Sequence, residues 1–289
     1  MHRHTIIFTL TIIFTSILTP SAHIHAEQQS DLDVHFINVG QGDSMLIQTP
    51  SGKNILIDGG RPKAGKKVVK FLKEQNVNKI DLMIATHPDI DHIGGLIQVM
   101  KTFEVKRILD TGKMNSTRTY ARYVSQIIKQ QIPIDIAERN DLIKLDPKLK
   151  VRILNTNKGT KSTNKSSIVM KVTFKELDFL LMSDVEKEQE KKLMKKYSLD
   201  SEIMKVAHHG SHTSTSLEFL KEVIPEAAIL TYGKNNKFGH PVDRVMENLR
   251  KVDTAIYPTA TFGDITVRTD GDGYVIINEK SPVSSLEVG

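Results

Sequence analysis

The sequence contains neither cysteine nor tryptophan. Without cysteine there is no disulfide framework and no thiolate zinc site. Any metal must then be held by His, Asp or Glu, and the fold must rest on core packing, with such a metal as the one further tie open to it. Without tryptophan, and with no internal repeat, a choline-binding type of cell-wall module has no support. Long apolar runs are also scarce. Residues 5–18 form one, but it is short for a membrane span. It follows the basic start Met1-His2-Arg3-His4 and precedes small residues ending at Ala26, the form of a secretory signal peptide over residues 1–26. The expectation is a secreted, extracellular or cell-surface protein with no stable membrane insertion after cleavage; an uncleaved N-terminal anchor is the alternative. The composition that remains is that of a soluble globular chain, 39% hydrophobic and 26% charged. A net charge of +6 suits an anionic partner such as nucleic acid or a phosphate-rich cell-wall polymer, and equally suits mere solubility.

Strand-like and helix-like segments alternate in two similar halves. The first half reads as strands within residues 33–48 and 54–57, a helix over 66–75, a strand over 82–86, a helix over 96–103, a strand over 107–110 and an amphipathic helix over 116–131. The second half reads as strands over 151–154, 167–174 and 178–182, then helix, strand, helix, strand and helix to Arg250, and three closing strands. Two mixed sheets packed face to face with helices outside satisfy this pattern. Residues 30–280 are expected to form one domain, and 281–289 a frayed tail.

The chemistry-bearing residues fall at strand ends. His87-Pro88-Asp89-Ile90-Asp91-His92 follows the apolar run Leu82-Met83-Ile84-Ala85. Two imidazoles and two carboxylates in six residues suit a loop folded around a metal. Asp184 follows Phe179-Leu180-Leu181-Met182 and can offer one oxygen to each of two metals, or simply cap a helix. His208-His209-Gly210 follows Ile203-Met204-Lys205-Val206-Ala207, where paired histidines suit metal binding and proton transfer. His240 sits in the polar stretch 232–241, as a catalytic group or as a turn residue before Pro241. In the same stretch Lys234 and Asn235 are candidates for contact with a substrate phosphate.

These blocks, with Phe36 through Ser44, Ile57-Asp58-Gly59-Gly60, Asn164 through Ser167 and Asn235 through Pro241, resemble the metallo-β-lactamase superfamily. The branch they resemble is the extracellular hydrolase domain of the ComEC/Rec2-type DNA-uptake proteins. The resemblance implies an α/β (α+β) four-layer αββα sandwich with a two-metal site at its edge. It departs from the superfamily's usual pattern in having Asp89 where a histidine is usual, and no histidine at all in residues 93–183. That oxygen-rich set moves the expected ions from Zn2+ alone towards Mn2+. By the same resemblance His87 and Asp89 bind one ion, Asp91 and His92 the other, and Asp184 lies between. His208 completes the set, while Asp91, His209 and His240 take catalytic parts, although the sequence does not separate the roles of His208 and His209. Asp58 orients a ligand histidine, and Asp43 and Asn38 line the mouth. The implied activity is a phosphodiesterase, foremost a DNA nuclease using a hydroxide bridging two metals. The alternatives are a phosphorylcholine or teichoic-acid esterase, another small phosphodiester hydrolase, or a non-catalytic binding module. Lys161, Lys165, Lys234 and Lys237 are placed near the mouth.

Overall fold

The computed structural model describes residues 31–157 and 159–281. The leader expected over residues 1–26, and the tail expected over 281–289 apart from Ser281, lie outside them. Two sheets stack face to face. The first has eight strands in the order Tyr274–Asn278, Ile265–Thr269, Leu32–Phe36, Met45–Gln48, Asn54–Ile57, Leu82–Ala85, Ile108–Asp110, Ile134–Ile136. The second has seven, in the order Ala255–Pro258, Ala227–Leu230, Ile203–Lys205, Leu177–Leu181, Val169–Phe174, Leu149–Asn155, Leu142–Ile143. Both are mixed. In the first, Leu82–Ala85 runs parallel to Asn54–Ile57 and to Ile108–Asp110. In the second, Ile203–Lys205 runs parallel to Leu177–Leu181 and to Ala227–Leu230.

Alternation along the strands sends one set of side chains into the space between the sheets and the other outward. Val34, Phe36, Ile55 and Ile84 meet Val151, Ile153, Val172 and Phe179 in the central core. The outward set of the first sheet, including Leu46, Leu56 and Met83, is covered by Val68 and Leu72 of helix Gly65–Glu74 and Tyr123 and Ile127 of helix Arg118–Gln130. Leu180, Met204 and Ala228 of the second sheet lie under Leu193, Phe219 and Leu249 from helices Lys187–Met194, Leu217–Val223 and Asp243–Arg250. This is the four-layer αββα sandwich. Strands buried on both faces read as continuous apolar runs, which is why they are legible in the sequence. Among the described residues no helix is long and apolar enough to cross a membrane.

The parallel strands matter most for the site. Ile57, Ala85, Leu181, Lys205 and Leu230 end their strands at one edge of the sandwich, and the loops after them carry Asp58, His87, Asp184, His208 and Thr231. Two of these loops interlock. Gly59 N–H donates to the His92 carbonyl at 2.7 Å, and Gly95 N–H to the Gly60 carbonyl at 2.9 Å. A Cβ on Gly95 would strike the Gly59 carbonyl, so only glycine permits this approach.

Candidate metal centre

Asp184 is the hub. It is 4% exposed, and its Oδ2 lies 3.3 Å from His92 Nε2, 3.4 Å from His209 Nε2, and 3.8 Å from both His87 Nε2 and His208 Nε2. The Nε2 atoms of His87, His92 and His209 and the Oδ1 of Asp184 are buried without a hydrogen-bond partner among the described residues. Buried polar atoms are almost always satisfied. Several orphans aimed at one point fit a cation, and His87, His92 and Asp184 present ligand atoms within 4.8 Å of one another. Asp43, Asp184 and His209 meet the same distance test. There, however, the ammonium of Lys205 already pairs with Asp43, so a cation on that side would meet a fixed positive charge.

The imidazoles are oriented from behind. Asp58 is fully buried; its Oδ2 accepts from His92 Nδ1–H at 2.7 Å and from the Thr86 hydroxyl at 2.6 Å, and its Oδ1 accepts from Thr86 N–H at 2.9 Å. His209 Nδ1–H donates to the Thr231 carbonyl at 2.7 Å. Each bond fixes the ring so that Nε2 faces Asp184, where it offers a lone pair once its proton is displaced. The loops are bent to do this. Asp58, Ser183, His208 and His209 all take left-handed backbone angles, with φ of 58°, 47°, 49° and 54°. Such conformations cost non-glycine residues on the order of 1–3 kcal/mol each and persist where the surroundings impose them.

Charge in this small volume is strongly redistributed. Burial pushes the His92 imidazole down, but Asp184 and Asp58 on its two nitrogens overcome this and hold it well above the ordinary range. Burial likewise opposes protonation of His209, and Asp184 and Asp43 carry it up to about 9. Asp184 is the counterpart: burial favours its neutral form, yet His209 and His92 hold it well below the usual carboxylate range. His87 is held well below the imidazole range by burial and by His92. The cluster thus binds positive charge in the form of protons, which a divalent cation would replace.

An open cavity of about 360 Å³ lies over the cluster, lined by Asp184, His208, His209, His240, Asp89 and Asp91, among others. Asp89 Oδ2 accepts from the Thr163 hydroxyl and lies 3.7 Å from His87 Nε2. Asp91 stands at the rim, with Arg61 Nη2 3.8 Å from its Oδ2 and no histidine nitrogen within ion-pair distance among the described residues. His208 Nδ1 meets the Thr213 hydroxyl at 3.1 Å. His240 packs edge-on to His208, and burial, with His208 next, pushes its imidazole down to about 4.

Several expectations need correction. Asp184 does not cap a helix: Lys187–Met194 is preceded by Glu186 as its N-cap, and one Asp184 oxygen has no donor. Asp43 does not line the mouth. It is fully buried beneath His209, paired with Lys205 and hydrogen-bonded by the Thr231 hydroxyl. The Asn38 side chain does not line it either; it closes its own loop by accepting from Gly40 N–H at 3.2 Å. Lys165 is engaged by Glu188 and Glu186. Lys161, Lys234, Asn235 and Lys237 are exposed and stand outside the cavity wall. Sequence reading assigned no part to Lys205, Arg61 or Phe238. A lysine inside the apolar run Ile203 to Ala207 was the one visible sign of the first.

A four-layer sandwich with His and Asp groups gathered at the carboxyl ends of its strands defines a protein built to hold metal at that edge. Residues 37–234 match the Metallo-beta-lactamase superfamily, and the chain belongs to it. It is 29% identical to "ComE operon protein 3" of Bacillus subtilis (strain 168) over 278 residues, covering 90% of this chain and 34% of that protein. It is 26% identical over 242 residues to "Recombination protein 2" of Haemophilus influenzae, covering 81% and 28%. The chain therefore spans about a third of the length of these relatives. Among solved structures, the metallo-beta-lactamase fold protein YhfI from Bacillus subtilis superimposes with a TM-score of 0.56 at 12% identity, covering 83% of this chain and 99% of that one. That likeness concerns the fold. The chain is thus a superfamily hydrolase related to these two proteins and, at 28% identity over 228 residues, to "Competence protein ComA" of Neisseria gonorrhoeae, and its fold implies divalent metal and a substrate.

Proposed function

We propose that the protein is an exported phosphodiesterase that cleaves DNA. The observation that carries the chemistry is the set of orphaned ligand atoms around Asp184 on the floor of an open cavity. In this reading His87, His92, His209, Asp89 and Asp184 hold divalent ions, Zn2+ or Mn2+, with Asp91 at the rim. Of the paired histidines, His209, buried and locked by Thr231, is taken as the ligand, and the half-buried His208 as the one facing the substrate. Bound metal supplies Lewis acidity at a phosphoryl oxygen and lowers the pKa of water. Hydrolysis adds water across a P–O bond and leaves a phosphate monoester and an alcohol. The water proton must reach the leaving oxygen. His240, on the cavity wall, is the group proposed to take or return it. DNA as substrate is supported by the resemblance to DNA-uptake proteins, by relatives named for competence and recombination, and by the net charge of +6. Export rests on the leader-like residues 1–26.

The test is an activity panel on protein loaded with manganese or zinc, using single-stranded DNA, linear and circular duplex DNA, RNA, a bis-aryl phosphodiester and a cephalosporin. DNA cleavage is expected. If the exposed Lys161, Lys234 and Lys237 contact phosphate, kcat/KM on single-stranded DNA should fall by roughly 20-fold between about 50 and 200 mM salt. The small ester should change little. DNA left intact with every metal and salt would overturn this reading in favour of a small or cell-wall phosphodiester.

Asp58→Asn is a more local check. The amide removes the charge that fixes the His92 tautomer, so metal affinity should drop about 10–100-fold. Competition with a fluorescent chelator measures it, and an unchanged affinity would free Asp58 of any such part.

A further inference from the structure

Two groups in the cavity wall are not used by the metal-binding cluster. Arg61 is fixed between Gly60 and Pro62 on the loop after strand Asn54–Ile57, and its side chain is 42% exposed. Its only carboxylate neighbour within ion-pair distance among the described residues is Asp91, at 3.8 Å, and its Nε is buried without a hydrogen-bond partner. A guanidinium has five N–H donors in a planar fork that matches phosphate oxygens. Most of those donors are unused here.

The second group is Phe238, which is 57% exposed. Its ring stacks on His240 with centroids 5.7 Å apart and planes 26° from parallel. The loop that presents it is braced. The Asn236 amide donates to the carbonyls of Gly233 at 2.8 Å and His240 at 2.6 Å, and its oxygen accepts from the N–H groups of Phe238 at 3.1 Å and His240 at 3.0 Å. A braced loop that holds a large aromatic face towards water, at the wall of a catalytic cavity, loses the gain of burying that ring. A flat ligand would restore it.

We propose that the cavity accepts one unpaired nucleotide of a nucleic-acid strand, with its base on Phe238 and a phosphate on Arg61. The proposal rests on the phosphodiesterase reading and names its substrate. Aromatic stacking tolerates any base, because every base has a π-face, while the phosphate is common to all nucleotides. In a duplex both faces of a base are covered by its neighbours, so an unpaired strand fits and an intact duplex does not. A polyol-phosphate cell-wall polymer would satisfy Arg61 but has nothing to lay on Phe238.

The experiment uses single-stranded oligothymidylate and the same strand carrying one abasic residue stepped along it. Cleavage is followed with metal-loaded protein, and binding by fluorescence anisotropy with protein held in chelator. At one fixed distance from the scissile bond, the abasic residue should lower kcat/KM about 5- to 150-fold in the wild type, the range for losing one stacked base. Phe238→Ala should bring the thymidine-to-abasic ratio close to one, and Phe238→Trp should keep it. Arg61→Gln should weaken normal and abasic strands alike. A duplex of the same sequence should be the poorer substrate. Cleavage with no abasic effect, or an abasic effect that survives Phe238→Ala, overturns the proposal and leaves the phosphodiesterase reading standing. Phe238-dependent binding without cleavage does the opposite. Neither binding nor cleavage overturns both.

Discussion

Asp184→Asn is expected to lower hydrolysis by more than about 100-fold, beyond what is typical for a residue that merely supports a metal ligand. The reason is its place. One carboxylate oxygen faces the Nε2 atoms of four histidines at 3.3 to 3.8 Å, and the other is buried without a donor. The variant keeps the size and one oxygen but removes the charge. It also turns an N–H2 group towards atoms that must act as lone pairs for a cation. The second consequence is electrostatic. Asp184 is the strongest influence raising both His92 and His209 against their burial, so both imidazoles should titrate lower in the variant. Elemental analysis after manganese or zinc loading should show less than the about two ions per chain expected of the wild type. Far-UV circular dichroism should be unchanged, since no helix or strand hydrogen bond involves this side chain. Activity within a few-fold of the wild type would remove Asp184 from the centre of the site.

Much of this centre is legible in the sequence for a local reason. A loop leaving a buried strand must change direction within a few residues, and there it can crowd ligands. His87 to His92 after Leu82–Ala85, Asp184 after Leu177–Leu181, and His208-His209 beyond Ile203–Lys205 all read as polar residues ending an apolar run. The sandwich follows from the same runs. What escapes is whatever depends on two distant segments meeting. Arg61 reads as an ordinary surface arginine before a proline, and Phe238 as a stray aromatic in a polar loop; only the fold places both on one cavity. Asp43, placed at the mouth by resemblance alone, is buried for a reason that also depends on two segments meeting. Gly42, at φ 137°, packs so closely on the Asp91 carbonyl that a Cβ there would clash, and the chain tucks Asp43 beneath the loops. The strands Ile134–Ile136 and Leu142–Ile143 were missed for a different cause. Both lie at sheet edges, the first is exposed along its length, and the second is only two residues long, so neither shows a buried alternation.

Lys205→Met is expected to destabilise the protein by about 3–5 kcal/mol, the usual cost of leaving one partner of a buried ion pair alone. In a domain of this size that is a fall in Tm of roughly 6–20 °C. Lys205 and Asp43 are both fully buried and paired with each other. Each belongs to a different half of the sandwich: Asp43 precedes strand Met45–Gln48 of the first sheet, and Lys205 ends strand Ile203–Lys205 of the second. The pair ties the sheets together directly under the histidine loop, because Asp43 also accepts from the Thr231 hydroxyl and lies 3.4 Å from His209 Nδ1. Asp43 is held well below the usual carboxylate range against its burial, first by Lys205 and then by His209. Removing the ammonium therefore leaves a buried carboxylate without its main counter-charge. The double variant Asp43→Leu with Lys205→Met removes both charges, and buried pairs replaced by apolar side chains of similar volume commonly regain the lost stability. It should melt close to the wild type and yet bind metal more weakly, because His209 then lacks the negative charge behind its ring. Thermal melts of the three variants together with chelator competition separate these two contributions. A double variant that recovers stability and metal affinity alike would reduce the pair to a structural tie, and a stable Lys205→Met protein would show that Asp43 finds another partner.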